Sequence, residues 1–134
     1  MAVCDIAGLR VDIENMTGRT GKQAKPYLSD NQDKSDIDIE INVTPERVDA
    51  MKREHPELNG DDWEYMLTGQ DFYTRLIDFG GILLHSSCIA VDGMAYAFSA
   101  DSGTGKSTHT QLWLKHFGDR AHMVNDDKPA IRII

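Results

Sequence analysis

The octapeptide Ala100-Asp101-Ser102-Gly103-Thr104-Gly105-Lys106-Ser107 constrains this chain more than any other feature. A tight glycine-containing loop of this kind turns its backbone N–H groups inward to cradle phosphate oxygens, and the helix that follows directs its positive dipole end at them. It needs a strand before it and a helix after it. Both are legible. Met94, Tyr96 and Phe98 alternate upstream, and a helix is expected from about Gly105 to Phe117, with Gly118 where a C-terminal cap belongs. From average residue frequencies, so loose a pattern turns up by accident in on the order of one chain in a hundred of this length. The flanking strand and capped helix argue against accident here. The pattern assigns Lys106 to the β- and γ-phosphates of a nucleoside triphosphate, foremost ATP, and the Ser107 hydroxyl to Mg2+. Ser102, Gly103, Thr104, Gly105 and Thr108 complete the expected cradle. The first position is alanine rather than glycine, which requires a negative φ at Ala100.

Two further features bear on chemistry. Asn125-Asp126-Asp127 closes an apolar segment, Ala121–Asn125, that follows the loop's helix. Phosphoryl transfer needs a carboxylate to hold magnesium or to receive the acceptor's proton, and such groups meet the phosphate loop at strand C-terminal ends. Asn-Asp-Asp-Lys-Pro is also good turn chemistry, so a polar turn is the competing reading. His85 is expected in a strand that pairs with the one feeding the loop. A lone histidine in an apolar strand is more often structural than catalytic, and spacing alone leaves it there. His55, His109, His116 and His122 show no metal-ligand spacing, and Trp113 and Phe117 read as core.

The N-terminal part has a different texture. Leu9, Val11 and Ile13, then Ile37, Ile39, Ile41 and Val43, alternate with charged and polar residues, as half-buried strands do. The stretch between them, Thr17 to Ser35, reads as loop with a short strand near Tyr27–Leu28. Thr44-Pro45 starts a helix expected to end near His55-Pro56. Asp61 or Asp62 is expected to cap a second, short helix closed by Gly69. Phe72–Phe79 is compatible with helix or strand and ends at Gly80-Gly81. Beyond it Ile82–Val91 is mostly apolar, Asp92-Gly93 is a two-residue hairpin signal, and Ala130–Ile134 reads as a last strand.

The 134 residues carry a net charge of −8. That surface repels the phosphate backbone of nucleic acid, whose binding needs Lys and Arg, so a nucleic-acid partner is not expected. Cys4 and Cys88 read as reduced core thiols. No basic n-region leads into an apolar stretch at the N-terminus, and no apolar run is long enough to span a bilayer, so the expected location is the cytoplasm.

Together, the histidine-led strand, the phosphate loop and the paired aspartates resemble the HPr kinase/phosphorylase family, within the wider group of kinases related to phosphoenolpyruvate carboxykinase. The resemblance covers roughly 81–134. His85-Ser86-Ser87-Cys88-Ile89-Ala90-Val91-Asp92-Gly93 is similar to the family's histidine-led strand and turn, Asp101–Ser107 to its phosphate loop, and Asn125-Asp126-Asp127 to its paired-aspartate motif. It implies an α/β fold, with an HPr-kinase/carboxykinase-like mixed sheet over 71–134; the small α+β portion over 1–70 rests on the strands and helices read there. It also implies that Asp127 deprotonates an acceptor hydroxyl, that Asp126 is a magnesium or network partner, and that His85 belongs to the active site beside Lys106. The implied acceptor is a serine of a small carrier protein or peptide. Three departures accompany it. The connection from helix to aspartates is a few residues longer than in the family, Met1–Gln70 does not resemble the family's regulatory domain, and a later acidic metal ligand and acceptor-binding segment would lie beyond Ile134. The chain is therefore expected to be part of a longer protein. A carboxykinase-like enzyme acting on a small metabolite, and a nucleotide-binding fragment without turnover, are the alternatives.

Overall fold

Ala7 and Gly8, both at positive φ (52° and 73°), form a two-residue turn between β1 (Ala2–Ile6) and β2 (Leu9–Ile13). Positive φ at both central positions is the type I′ geometry, which matches the twist of an antiparallel pair. β2 also pairs in parallel with β3 (Ile39–Ile41), giving the order β1-β2-β3. A parallel neighbour requires a crossover. Here the crossover contains α1 (Gly18–Ala24) and a 3-10 turn at Lys25–Tyr27, where the sequence reads as loop and a short strand. Leu28 keeps one isolated bridge, to Cys4. Leu9, Val11, Ile13, Ile39, Ile41 and Val43 are all buried, so the alternation reports a real one-sided core.

Helices cover that core. Thr44 Oγ1 accepts from Arg47 N at 3.3 Å and caps α2 (Pro45–Glu54). The next cap is Asn59, whose Oδ1 accepts from Asp62 N at 2.9 Å; Asp61 and Asp62 stand instead in the first turn of α3, near the positive end of its dipole. α3 spans Gly60–Leu76 and does not stop at Gly69. Its buried face, Trp63, Leu67, Phe72 and Leu76, continues past the glycine, and that burial outweighs the ~1 kcal/mol a helical glycine costs. α1 and α2 both pack against α3. The segment Phe72–Phe79 is thus helical, ending in a 3-10 turn at Gly80.

The computed structural model describes all residues from Met1 to Ile134, which divide into two units, Met1–Gly80 and Gly81–Ile134. The division falls at Gly80–Gly81 because α3 runs unbroken across positions 70 and 71, where the sequence suggested a boundary.

In the second unit the apolar run Ile82–Val91 is two strands rather than one. β4 (Gly81–Leu83) pairs with β8 (Ala130–Arg132), and β5 (Ser87–Val91) lies at the centre of a separate sheet of order β6-β5-β7. Asp92 and Gly93 (φ 50° and 80°) make the type I′ turn into β6 (Met94–Phe98), and Arg120 clasps the turn by a forked contact to the Asp92 carboxylate. That guanidinium holds the Asp92 carboxyl below the usual carboxylate range. α4 (Lys106–Phe117) packs on β5 and on β7 (Ala121–Asn125). Cys88, Ile89, Ala90 and Val91 form the core, whereas Trp113 and Phe117 are only half-buried. Trp113 joins Tyr96 and Phe98 in an aromatic row, each ring 5.2 Å away. The protein is a mixed α/β chain of four α-helices and three small sheets, and no helix is long and apolar enough to cross a membrane. The β6-β5-β7 sheet is antiparallel throughout; the mixed sheet is that of the first unit.

Candidate functional site

β6 and β7 both pair antiparallel with β5, so they run parallel to each other and end at the same edge of the sheet. Ser87 lies opposite Phe98 and Cys88 opposite Asn125, which puts the start of β5 at that edge too. Three segments therefore meet there: His85–Ser87, the loop Ser99–Gly105 and Asn125–Asp127. The strand register alone brings together the three sequence features.

The loop has the backbone its glycines call for. Gly103 and Gly105 sit at φ 83° and 97°, and a Cβ on either would meet nothing within 4 Å. Both glycines are needed for conformation, and the space beside them is open. Ala100 is not among the residues with positive φ, as alanine requires. Thr104 Oγ1 donates to the Asp101 carbonyl at 2.8 Å and tightens the turn. Lys106 Nζ donates to the carbonyls of Ala100 and Asp101 at 2.8 and 3.2 Å, which holds the ammonium over the loop. No side chain caps α4, and its first turn carries no acidic residue. Its leading N–H groups and dipole remain available to an anion.

Behind the loop lies a hydroxyl relay that sequence reading missed. Ser87 Oγ donates to Asp126 Oδ1 at 2.5 Å and lies 2.7 Å from Thr110 Oγ1. Thr110 is one turn into α4, with its Oγ1 3.3 and 3.1 Å from the carbonyls of Lys106 and Ser107. Ser87 and Thr110 are fully buried. Asp126 is thereby tied through two hydroxyls to the first turn of α4. A buried Ser–Thr pair 23 residues apart has no local signature, because only the fold joins its members.

Asn125-Asp126-Asp127 is a turn as well as a carboxylate pair. Asn125 Oδ1 accepts from the backbone N–H groups of Asp127 and Lys128, at 2.9 and 2.8 Å. The β5–β7 register skips Val124 between Met123 and Asn125, a bulge of the sort that re-aims side chains beside sites. One aspartate meets Ser87. The other meets His85, with Asp127 Oδ1 3.4 Å from His85 Nε2 and both side chains 56% exposed. His85 lies in the connection between β4 and β5 rather than in a strand, with its carbonyl accepting from Ser99 Oγ at 3.0 Å. The contact is charged when His85 is protonated, and so much exposure makes it an orienting contact rather than a stabilising one.

For a magnesium ion the candidate donors are the Ser107 hydroxyl and the Asp126 carboxylate. Both are hard oxygen donors, and Mg2+ is typically bound through one or two protein groups plus substrate phosphates and water. That donor chemistry fits, although no group of three or more His, Cys, Asp or Glu is arranged to hold a metal ion on its own. Ser102, Ser107 and Thr108 are all exposed along the loop and first turn. No family model matches the chain, and neither a curated protein nor a solved structure matches it.

Proposed function

We propose that this chain carries the nucleotide site of an ATP-dependent phosphotransferase of the HPr-kinase-like type, which moves the γ-phosphoryl group of ATP to a hydroxyl, in this reading a serine of a protein or peptide. The observation that carries the reading is the meeting at one sheet edge of a doubly glycine-turned loop, its lysine, and two aspartates, each held by a different partner. Ser102 to Thr108 receive the phosphates through backbone N–H groups, and the Lys106 ammonium turns from the loop carbonyls to the β- and γ-oxygens. Ser107 and Asp126 would hold magnesium, which would neutralise phosphate charge. Asp127 accepts the acceptor hydroxyl's proton as that oxygen attacks the γ-phosphorus; the bond from phosphorus to the β–γ bridging oxygen breaks, and ADP departs. His85 orients Asp127 through the 3.4 Å contact. Two buried free thiols and a requirement for ATP suit a cytoplasmic location.

The test is transfer of labelled γ-phosphate from ATP to proteins of a cell extract by this protein. Lys106→Ala is expected to abolish labelling, and Asp127→Asn to abolish it while leaving ATP binding in place. Undiminished labelling by either variant removes the mechanism.

A further inference from the structure

An open groove of about 750 Å³ runs from the phosphate loop along one side of α4. Its floor is Gly105, Lys106 and Thr108, and its far wall is Phe98, His109 and Leu112. The volume falls within the ~300–1,000 Å³ of small-molecule sites. Phe98 packs on Trp113, but Leu112 has no packing reason to be apolar. Leu112 is 60% exposed, so it contributes little to the core of this unit. Phe98 and His109 stand edge to face, with centroids 4.7 Å apart and planes at 86°. Trp113 Nε1 donates to His109 Nε2 at 3.1 Å, and Trp113 itself packs on Phe98. The His109 ring is thereby fixed, and in its neutral form its proton is on Nδ1, which leaves a donor beside an apolar surface.

We infer that this wall is the docking surface for the nucleobase of the nucleotide whose phosphates occupy the loop. The inference rests on the phosphate-binding reading above and deepens it. A single groove joins the two ends of such a ligand: the loop end offers N–H groups and an ammonium, whereas the wall offers a fixed aromatic ring, an exposed leucine and a ring N–H donor. A heteroaromatic base has two apolar faces and an edge of ring-nitrogen acceptors, which is what that wall complements. Trp113 and Phe98 act as positioning residues for the His109 ring. Inorganic triphosphate would use only the loop end.

The two ends can be tested separately by titrating the chain with Mg-ATP and with magnesium tripolyphosphate. ATP is expected to bind at least tenfold more tightly than tripolyphosphate. His109→Ala and Leu112→Gln, both exposed helix positions, are each expected to weaken ATP binding roughly tenfold, the loss of one stacking or apolar contact, and to leave tripolyphosphate binding unchanged. Trp113→Phe, which frees His109 Nε2, is expected to weaken ATP alone by a smaller factor. Equal affinity for ATP and tripolyphosphate overturns the base site and leaves the phosphate loop standing. A preference for ATP that survives both His109→Ala and Leu112→Gln places the base elsewhere and also overturns it. Binding of neither compound removes the loop reading and this inference with it.

Discussion

Ser87→Ala is the most informative single perturbation of the site. The native hydroxyl is fully buried, donates to a carboxylate at 2.5 Å and faces the Thr110 hydroxyl at 2.7 Å. A hydrogen bond to a charged partner contributes about 1.5–3 kcal/mol. Two features reduce the loss. Asp126 is exposed and is rehydrated when Ser87 is gone, and Thr110 keeps the carbonyls of Lys106 and Ser107 as acceptors. The expected cost is therefore about 1–2 kcal/mol, read as a shift in the urea midpoint at unchanged slope. Each unit contains one tryptophan, Trp63 in the first and Trp113 in the second, so a Trp63→Phe background reports the second unit alone. A double-mutant cycle of Ser87→Ala with Asp126→Ala is expected to show a coupling of about 1 kcal/mol. If Asp126 also holds magnesium, Ser87→Ala weakens magnesium-dependent ATP binding by about tenfold, as the loss of an outer-sphere support does. A loss of stability under about 0.5 kcal/mol together with zero coupling would refute the relay.

Gly105→Ala places a side chain at φ 97° with no neighbour within 4 Å, so the expected cost is conformational strain of about 1–3 kcal/mol, measured by urea unfolding; a neutral result contradicts the loop geometry. In the first unit, Arg47 forks onto Asp71 at 2.6 and 2.9 Å, and the hydrogen bonds to that carboxylate push the guanidinium's pKa up. With the side chains 40% and 25% exposed, Arg47→Ala should cost only about 1 kcal/mol, less in 1 M salt, and Arg47→Lys should not restore it because lysine lacks the fork. Burial pushes both thiols up, at Cys4 with help from the charges of Asp5 and Asp12. The unfolded thiols ionise at about pH 8.5 while the folded ones stay neutral, so their contribution to stability is complete below that pH and is lost as pH rises towards the folded values. A thiol reagent at pH 8 is expected to react slowly with both until denaturant is added; rapid native-state reaction counts against the burial.

Much of the fold was legible because it is written in local chemistry. Period-2 alternation marked β2 and β3, and Asp92-Gly93 marked a turn in which both residues have positive φ. Local rules failed where distant contacts decided the outcome. β1 shows no alternation, since the neighbours Val3 and Cys4 are both buried. α1 is polar, and the residue before it is anchored across the unit, with Thr17 N and Oγ1 donating to the two Glu64 oxygens at 2.8 and 2.6 Å. Gly69 suggested a helix end, but the apolar face that continues to Leu76 overrode it.

The site divides along the same line. Lys106, Ser107 and the aspartates stand out in the sequence because the proposed phosphate chemistry calls for those residue types. The partners that hold them do not. Ser87 and Thr110 are ordinary hydroxyl residues until strand pairing, with its bulge at Val124, sets Ser87 against Asp126. The turn and functional readings of Asn125-Asp126-Asp127 prove compatible, since the Asn125 side chain closes the turn that carries both carboxylates.

Calorimetric titration of the chain with Mg-ATP tests the central claim most directly. Saturable binding at one site per chain, lost in Lys106→Ala while circular dichroism shows that variant still folded, is the predicted result. No heat with the native chain, or binding unchanged in Lys106→Ala, would contradict the assignment of this loop to nucleotide phosphates.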